Sequence, residues 1–153
     1  MKRRLAREIV VQSLYQMEMN EVDSAEAVEM LLNEAAEEND TERVITNEIK
    51  LKEYVLDLVN GIWSHKQVID GLLENYLKGW QISRLSRVDR QVLRLAAYEL
   101  LYSDDVPAKV AVNEAIELSK HFGTEESGKF VNGVLGNMIR ELDKLKQGEK
   151  DPS

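Results

Sequence analysis

Apolar residues recur along this chain at three- and four-residue intervals almost from end to end. No stretch alternates strictly, so the pattern predicts helices throughout. The densest such segment runs from Trp80 to Tyr102. There Val88, Val92, Leu95, Ala96, Tyr98 and Leu100 form a stripe at about 3.6-residue spacing, and Leu93, Ala97 and Leu101 widen it until little of the second half stays polar. A helix apolar on most sides must be surrounded, so this one is predicted to be the core helix. Its opening turns carry Arg84, Arg87, Arg90 and Arg94 against Asp89 alone, which predicts packing at one end and recognition at the other.

A first helix is predicted from Arg3 to Asn20. At about 100° per residue, Leu5, Ala6, Ile9, Val10, Ser13 and Met17 gather on a core face, with Leu14 at its edge. The other side is read as carrying Arg4, Arg7, Glu8, Val11, Gln12 and Tyr15, an aromatic ring on the same helix as two guanidiniums. Such a side is either a solvated face with snorkelling arginines or a nucleic-acid face on which arginines hold phosphate and the tyrosine stacks on a base. Asp23 or Ser24 caps a second helix to about Glu38, with Val28, Leu31, Leu32 and Ala35 inward and acids outward. The polar run from Glu37 to Asn47 is a loop. A third helix from about Glu48 places Leu51, Tyr54, Val55, Leu58, Val59 and Ile62 in phase. The capping-box spacing of Ser64 and Gln67 then starts a fourth, with Val68, Ile69, Leu72, Leu73 and Tyr76 inward and Gly79 at its end; one unbroken helix is the alternative.

Ser83 or Ser86 caps the core helix, and beyond it Asp104 or Asp105 caps a helix with Pro107 in its first turn. That helix, to about His121, is predicted to bury Val110, Ala111, Ala115 and Leu118, with Phe122 and Gly123 closing it. The last helix starts at Thr124, turns Val131, Val134, Leu135, Met138, Leu142 and Leu145 inward, and shows Glu126, Lys129 and Gly133 on its opposite side. Phe130 stands at the margin, as core or as a platform for a splayed base. Gly133 and Gly136 either allow close backbone approach or avoid a side-chain clash. The sum is an all-α single domain of about seven helices over residues 1–146, with residues 147–153 a polar, frayed tail.

A chain of 153 residues buries roughly two-thirds of its unfolded surface, so it needs neither metal nor disulfide to fold. The absence of cysteine removes disulfide, thiolate-zinc and thiol-nucleophile readings. The opening Met-Lys-Arg-Arg mimics the charged part of a signal peptide, but Arg7, Glu8 and Gln12 interrupt the apolar part, and no apolar run approaches the roughly 18 residues of a membrane span. The net charge of −8 is unevenly spread: four basic groups and one acid in residues 1–8 (+3), eleven acids and Arg43 in residues 18–48 (−10), and five basic groups and Asp89 in residues 78–94 (+4). The bulk field of such a protein repels phosphate, so nucleic acid is expected to bind locally, and better beside a basic partner. No P-loop, Gly-x-Gly-x-x-Gly, Gly-x-Ser-x-Gly or His-Glu-x-x-His pattern occurs, and His65 has no acid at ligand spacing. Asp104 and Asp105 are read as helix caps rather than a carboxylate pair. No catalytic residue, metal site or cofactor is predicted, and the chain is not expected to be an enzyme.

Three blocks, RRLAREIVVQSLYQ, WQISRLSRVDRQVLRLAAYELLY and DVPAKVAVNEAIELSKHFGTEESGKFVNGVL, resemble in order the signature blocks of the NusB family of bacterial transcription antitermination factors. The resemblance covers nearly the whole chain except the acidic second helix and the tail. It implies two packed helical subbundles, split near the third and fourth helices. It also implies binding to the boxA sequence of nascent RNA as a heterodimer with NusE, a ribosomal small-subunit protein. That pair joins other Nus factors on RNA polymerase to oppose termination, chiefly in ribosomal RNA operons. By resemblance, the RNA face takes Lys2, Arg3, Arg4, Arg7, Gln12 and Tyr15 from the first helix and Glu126, Lys129 and Phe130 from the last. The protein-partner surface is expected around Tyr76, Trp80 and Arg84, because an aromatic beside arginine is a common interface anchor; alternatively Trp80 only plugs the gap between subbundles.

Two other readings stand beside this one. The chain resembles the N-terminal RNA-binding module of a ribosomal RNA cytosine methyltransferase, although such an enzyme needs a further domain with catalytic cysteines. A helical protein-interaction adaptor without RNA contact is the other. A cytoplasmic location is expected, without membrane contact. Monomer and homodimer both remain open, and a homodimer that buried the basic face would compete with RNA and NusE.

Overall fold

A computed structural model describes residues 3–39, 48–79 and 81–150. Lys2, Trp80 and residues 40–47 of the expected loop lie outside them. Among the described residues the regular structure is helical: α1 (Arg3–Asn20), α2 (Ser24–Asn39), α3 (Glu48–Ser64), α4 (Lys66–Glu74), a 3-10 turn (Ile82–Arg84), α5 (Arg87–Tyr102), α6 (Ala108–Phe122), α7 (Glu125–Arg140) and α8 (Leu142–Lys150). None of these helices is long and apolar enough to cross a membrane. The chain divides into two compact units, Met1–Ser64 and His65–Ser153, between α3 and α4.

In the first unit α1, α2 and α3 pack pairwise. The stripes that bury Ile9, Val10, Leu14, Val28, Leu32, Val55, Val59 and Ile62 are those the periodicity places inward. Each such side chain contributes about 1.5–3 kcal/mol when fully withdrawn from water. Asp23 supplies the cap of α2, its Oδ1 accepting the Glu26 N–H at 2.8 Å.

In the second unit α5 packs against α4, α6, α7 and α8, as a core helix must. Gln91 to Ala97 are buried without interruption. Its start is set by Ser86, whose Oγ accepts the Asp89 N–H at 3.1 Å. Thr124 caps α7 in the same way, accepting from Ser127 at 3.3 Å. An N-cap of this kind contributes about 1 kcal/mol.

Several local expectations are corrected. The helix breaks between Ser64 and Lys66, but His65 is the N-cap of α4 and makes no side-chain cap bond, while the Ser64 hydroxyl donates back to Gly61 O at 3.1 Å. A capping box therefore does not cause the break. Pro107 itself, not Asp104 or Asp105, occupies the cap position of α6, with no side-chain cap. Val68 and Val110 are exposed, at 47% and 42%, because each stands at the opening of its helix on the side turned from the unit's interior. The predicted last helix is two, interrupted at Glu141, whose backbone N–H reaches back to Met138 and Ile139 carbonyls. The backbone of α8 then stays helical to Lys150, past the point where the tail was expected to begin.

Candidate nucleic-acid interface

On α1 the sequence expectation holds for part of the face. Arg3, Arg4 and Gln12 are exposed and Tyr15 and Glu8 are half-buried. Arg4 and Glu8 are already engaged within the chain, so an incoming phosphate exchanges with existing contacts. Arg7, expected on the open side, is buried at 3% exposure, and Val11 beside it at 1%. The reason lies in the spacing: positions 7, 11 and 14 follow the i, i+4, i+7 rule and extend the buried arc past the stripe of Ala6, Val10 and Met17. The open arc narrows to Arg4, Glu8, Gln12 and Tyr15. Arg7 is held inside, engaged within the chain, and is not presented to solvent.

The α7 residues belong to the second unit. Glu126 and Lys129 are both exposed and pair at 3.5 Å one turn apart. Exposed pairs of this type contribute well under about 1 kcal/mol, so Lys129 is readily exchanged to another anion. Phe130 is half-buried. It borders a cleft of about 320 Å³ whose other wall is the turn after α4. Tyr76, Leu77 and Lys78 come from that turn; Lys129, Phe130, Gly133, Val134 and Asn137 come from α7.

The turn has a specific backbone. Lys78 has φ +50° and Gly79 φ +90°, so two successive residues take the left-handed region that reverses the chain after α4. Tyr76 is fixed across the same space, its hydroxyl donating to the Glu141 carboxylate at 2.6 Å. Burial first, then the bond to Glu141 and its negative charge, push the Tyr76 phenol up to about 12. The glycine reading is corrected as well: a Cβ at Gly133 or Gly136 would meet nothing within 4 Å, so neither is there for close helix approach. At Gly133 the missing side chain opens the cleft instead. Gly128 of α7, by contrast, is crowded: a Cβ would lie 2.9 Å from Lys120 Cγ, so the lysine stem crosses the start of α7 there.

The cationic start of the core helix is also less available than its composition implies. Arg94 is buried and donates from Nε and Nη2 to Asp70 at 2.8 Å each. Arg90 donates to the Ser83 carbonyl at 3.0 Å. Arg84 and Arg87 remain exposed. Of the expected partner residues, Tyr76 is grouped with Lys129 and Phe130 rather than with Arg84, which does not line the cleft; Trp80 lies outside the described residues. Sequence reasoning missed Lys78 and Asn137, since neither belongs to a pattern and only the turn brings them together.

Comparison with known proteins adds to this geometry. The model of the NusB family matches residues 4–140. The transcription antitermination protein NusB of Acetivibrio thermocellus is 41% identical over 141 residues, covering 92% of this chain and 90% of that protein. A T. maritima NusB structure superimposes with a TM-score of 0.77 at 40% identity, covering 92% of both chains. A crystal structure of the antitermination factors NusB and NusE in complex with dsRNA gives a TM-score of 0.72 at 28% identity, covering 92% of this chain and 98% of that one.

Proposed function

Because the chain belongs to the NusB family, we propose that it is an RNA-binding transcription antitermination factor. It binds the boxA segment of nascent RNA together with NusE, and the pair joins the other Nus factors on RNA polymerase. It works by binding alone, without catalysis, in the bacterial cytoplasm. The observation that carries this reading is a family match over residues 4–140, which runs through both compact units and includes Arg4 to Tyr15 and Glu126 to Phe130 of the candidate RNA segments.

The physical case starts from charge. A chain at −8 with exposed cations confined to a few places holds single-stranded RNA weakly by itself. A basic partner lengthens the positive track and raises both encounter rate and affinity. Arg3, Arg4 and Lys129 supply phosphate contacts, Gln12 offers an amide, and Tyr15 and Phe130 supply rings for stacking.

The test is a titration of boxA RNA and a scrambled control, with and without NusE, at two salt concentrations. Tighter binding of boxA when NusE is present is expected, with a steep salt dependence. Equal binding of the two RNAs in the presence of NusE at low salt would overturn the reading.

A further inference from the structure

Four features converge on the cleft between the turn after α4 and the face of α7. Two rings line it, Tyr76 from the turn after α4 and Phe130 from α7. Two lysines, Lys78 and Lys129, line it, and Asn137 adds an amide whose oxygen already accepts from Arg140 Nη1 at 3.5 Å and whose nitrogen can donate. At about 320 Å³ it lies at the small end of the roughly 300–1,000 Å³ range of ligand-burying pockets. A Cβ at Gly133 would touch nothing, so the floor is open where any side chain would begin to fill it.

The backbone at Lys78 points the same way. A non-glycine residue at φ +50° is disfavoured relative to glycine, which takes that conformation freely. The turn nevertheless carries lysine there and glycine only at the next position. Local folding does not require a cation at this position, so its charge is available to whatever the cleft receives. Two carboxylates stand nearby: Glu141, which accepts the Tyr76 hydroxyl and keeps its charge, and Glu126, which makes a weak exposed pair with Lys129.

We propose that this cleft receives a single unstacked base of the bound RNA, held between Tyr76 and Phe130 with Asn137 at its polar edge, while Lys78 and Lys129 hold the flanking phosphates. The inference rests on the RNA-binding reading above and extends it to Tyr76, Lys78, Gly133 and Asn137. It moves Tyr76 from the protein-partner surface to the RNA. Rings on which bases stack are sequence-tolerant, so discrimination at this position falls to Asn137.

The test uses the full chain with NusE and single-stranded boxA RNA carrying 2-aminopurine at one position at a time. Lys78→Gly removes the charge and relieves the strained backbone. It is expected to melt no lower than the parent and to bind with a salt slope smaller by about one. Gly133→Leu fills the cleft on an exposed helix face. It is expected to bind RNA about 5- to 150-fold more weakly, the range for loss of one stacked base. One 2-aminopurine position should change its fluorescence on binding the parent protein and not on binding Gly133→Leu. Unchanged RNA affinity in both variants, while Arg4→Ala still weakens binding, would overturn the cleft assignment and leave the family reading standing. Loss of NusE binding without RNA in Lys78→Gly and Gly133→Leu would give the cleft to the protein partner, and overturn it too. Failure of the parent to bind boxA with NusE would remove both.

Discussion

Arg94 and Asp70 meet in a two-bond fork, Nε to Oδ1 and Nη2 to Oδ2 at 2.8 Å each, which joins α5 to α4. The arginine side chain is 5% exposed and the aspartate 18%. Removing the acid strands a buried guanidinium, which costs about 3–5 kcal/mol, toward the lower figure here because water reaches Asp70. Asp70→Ala should therefore lower the unfolding free energy by that amount, read as a lower urea midpoint at unchanged slope. Asp70→Ala with Arg94→Met should be less destabilised than the two single changes summed, since no charge is left behind.

Two arginines of α1, Arg4 and Arg7, should separate by assay. Arg4→Ala removes an exposed cation, so stability stays within about 0.5 kcal/mol while RNA affinity falls and the salt slope decreases by about one. Arg7→Ala empties a buried position and leaves its neighbours unsatisfied, at about 1–3 kcal/mol. Thermal melting alongside RNA titration distinguishes them. Equal loss of stability in both would contradict the burial difference.

Two glycines should respond in opposite directions. At Gly123 a Cβ would lie 2.6 Å from Ser127 Oγ and 2.8 Å from the Ser119 carbonyl, and the carbonyl cannot step aside. Gly123→Ala is expected to destabilise by about 1–3 kcal/mol, the range for overpacking. Gly133→Ala meets nothing and removes a flexible residue from a helix, so a gain of about 0.5–1 kcal/mol is expected. Chemical denaturation of both variants is the check.

Alkaline titration should single out Tyr76. Its phenol is raised to about 12, so between the ordinary value near 10 and 12 the folded chain holds a proton that the unfolded chain has released. Stability from this group is whole below about pH 10 and is lost as pH rises toward 12. Ultraviolet titration should show a tyrosinate component near 12 that disappears in Tyr76→Phe and moves downward in Glu141→Gln.

Long periodic stripes made α1 and α5 legible, even to the boundaries of α1 at Arg3 and Asn20. Arg7 and Val11 were misread because one stripe was taken as the whole buried arc, and a charged member hid the second. The stop at Glu141 lacks glycine or proline, so no local signal marked it. The α1 face and Phe130 were weighed as nucleic-acid contacts from their own residue types, and the family blocks then joined them into one expected RNA face. Tyr76, Lys78 and Asn137 were not grouped, because a turn of two positive-φ residues joins them in space and no sequence period encodes that turn.

Glu141 has two duties that meet in one residue. Its main chain finishes α7, and its carboxylate anchors the Tyr76 hydroxyl. The end of that helix and the far side of the cleft are thus a single mechanical joint. Anything that unwinds the chain from its carboxyl end as far as this residue slackens the grip on Tyr76, before any group that would touch a ligand has itself been disturbed.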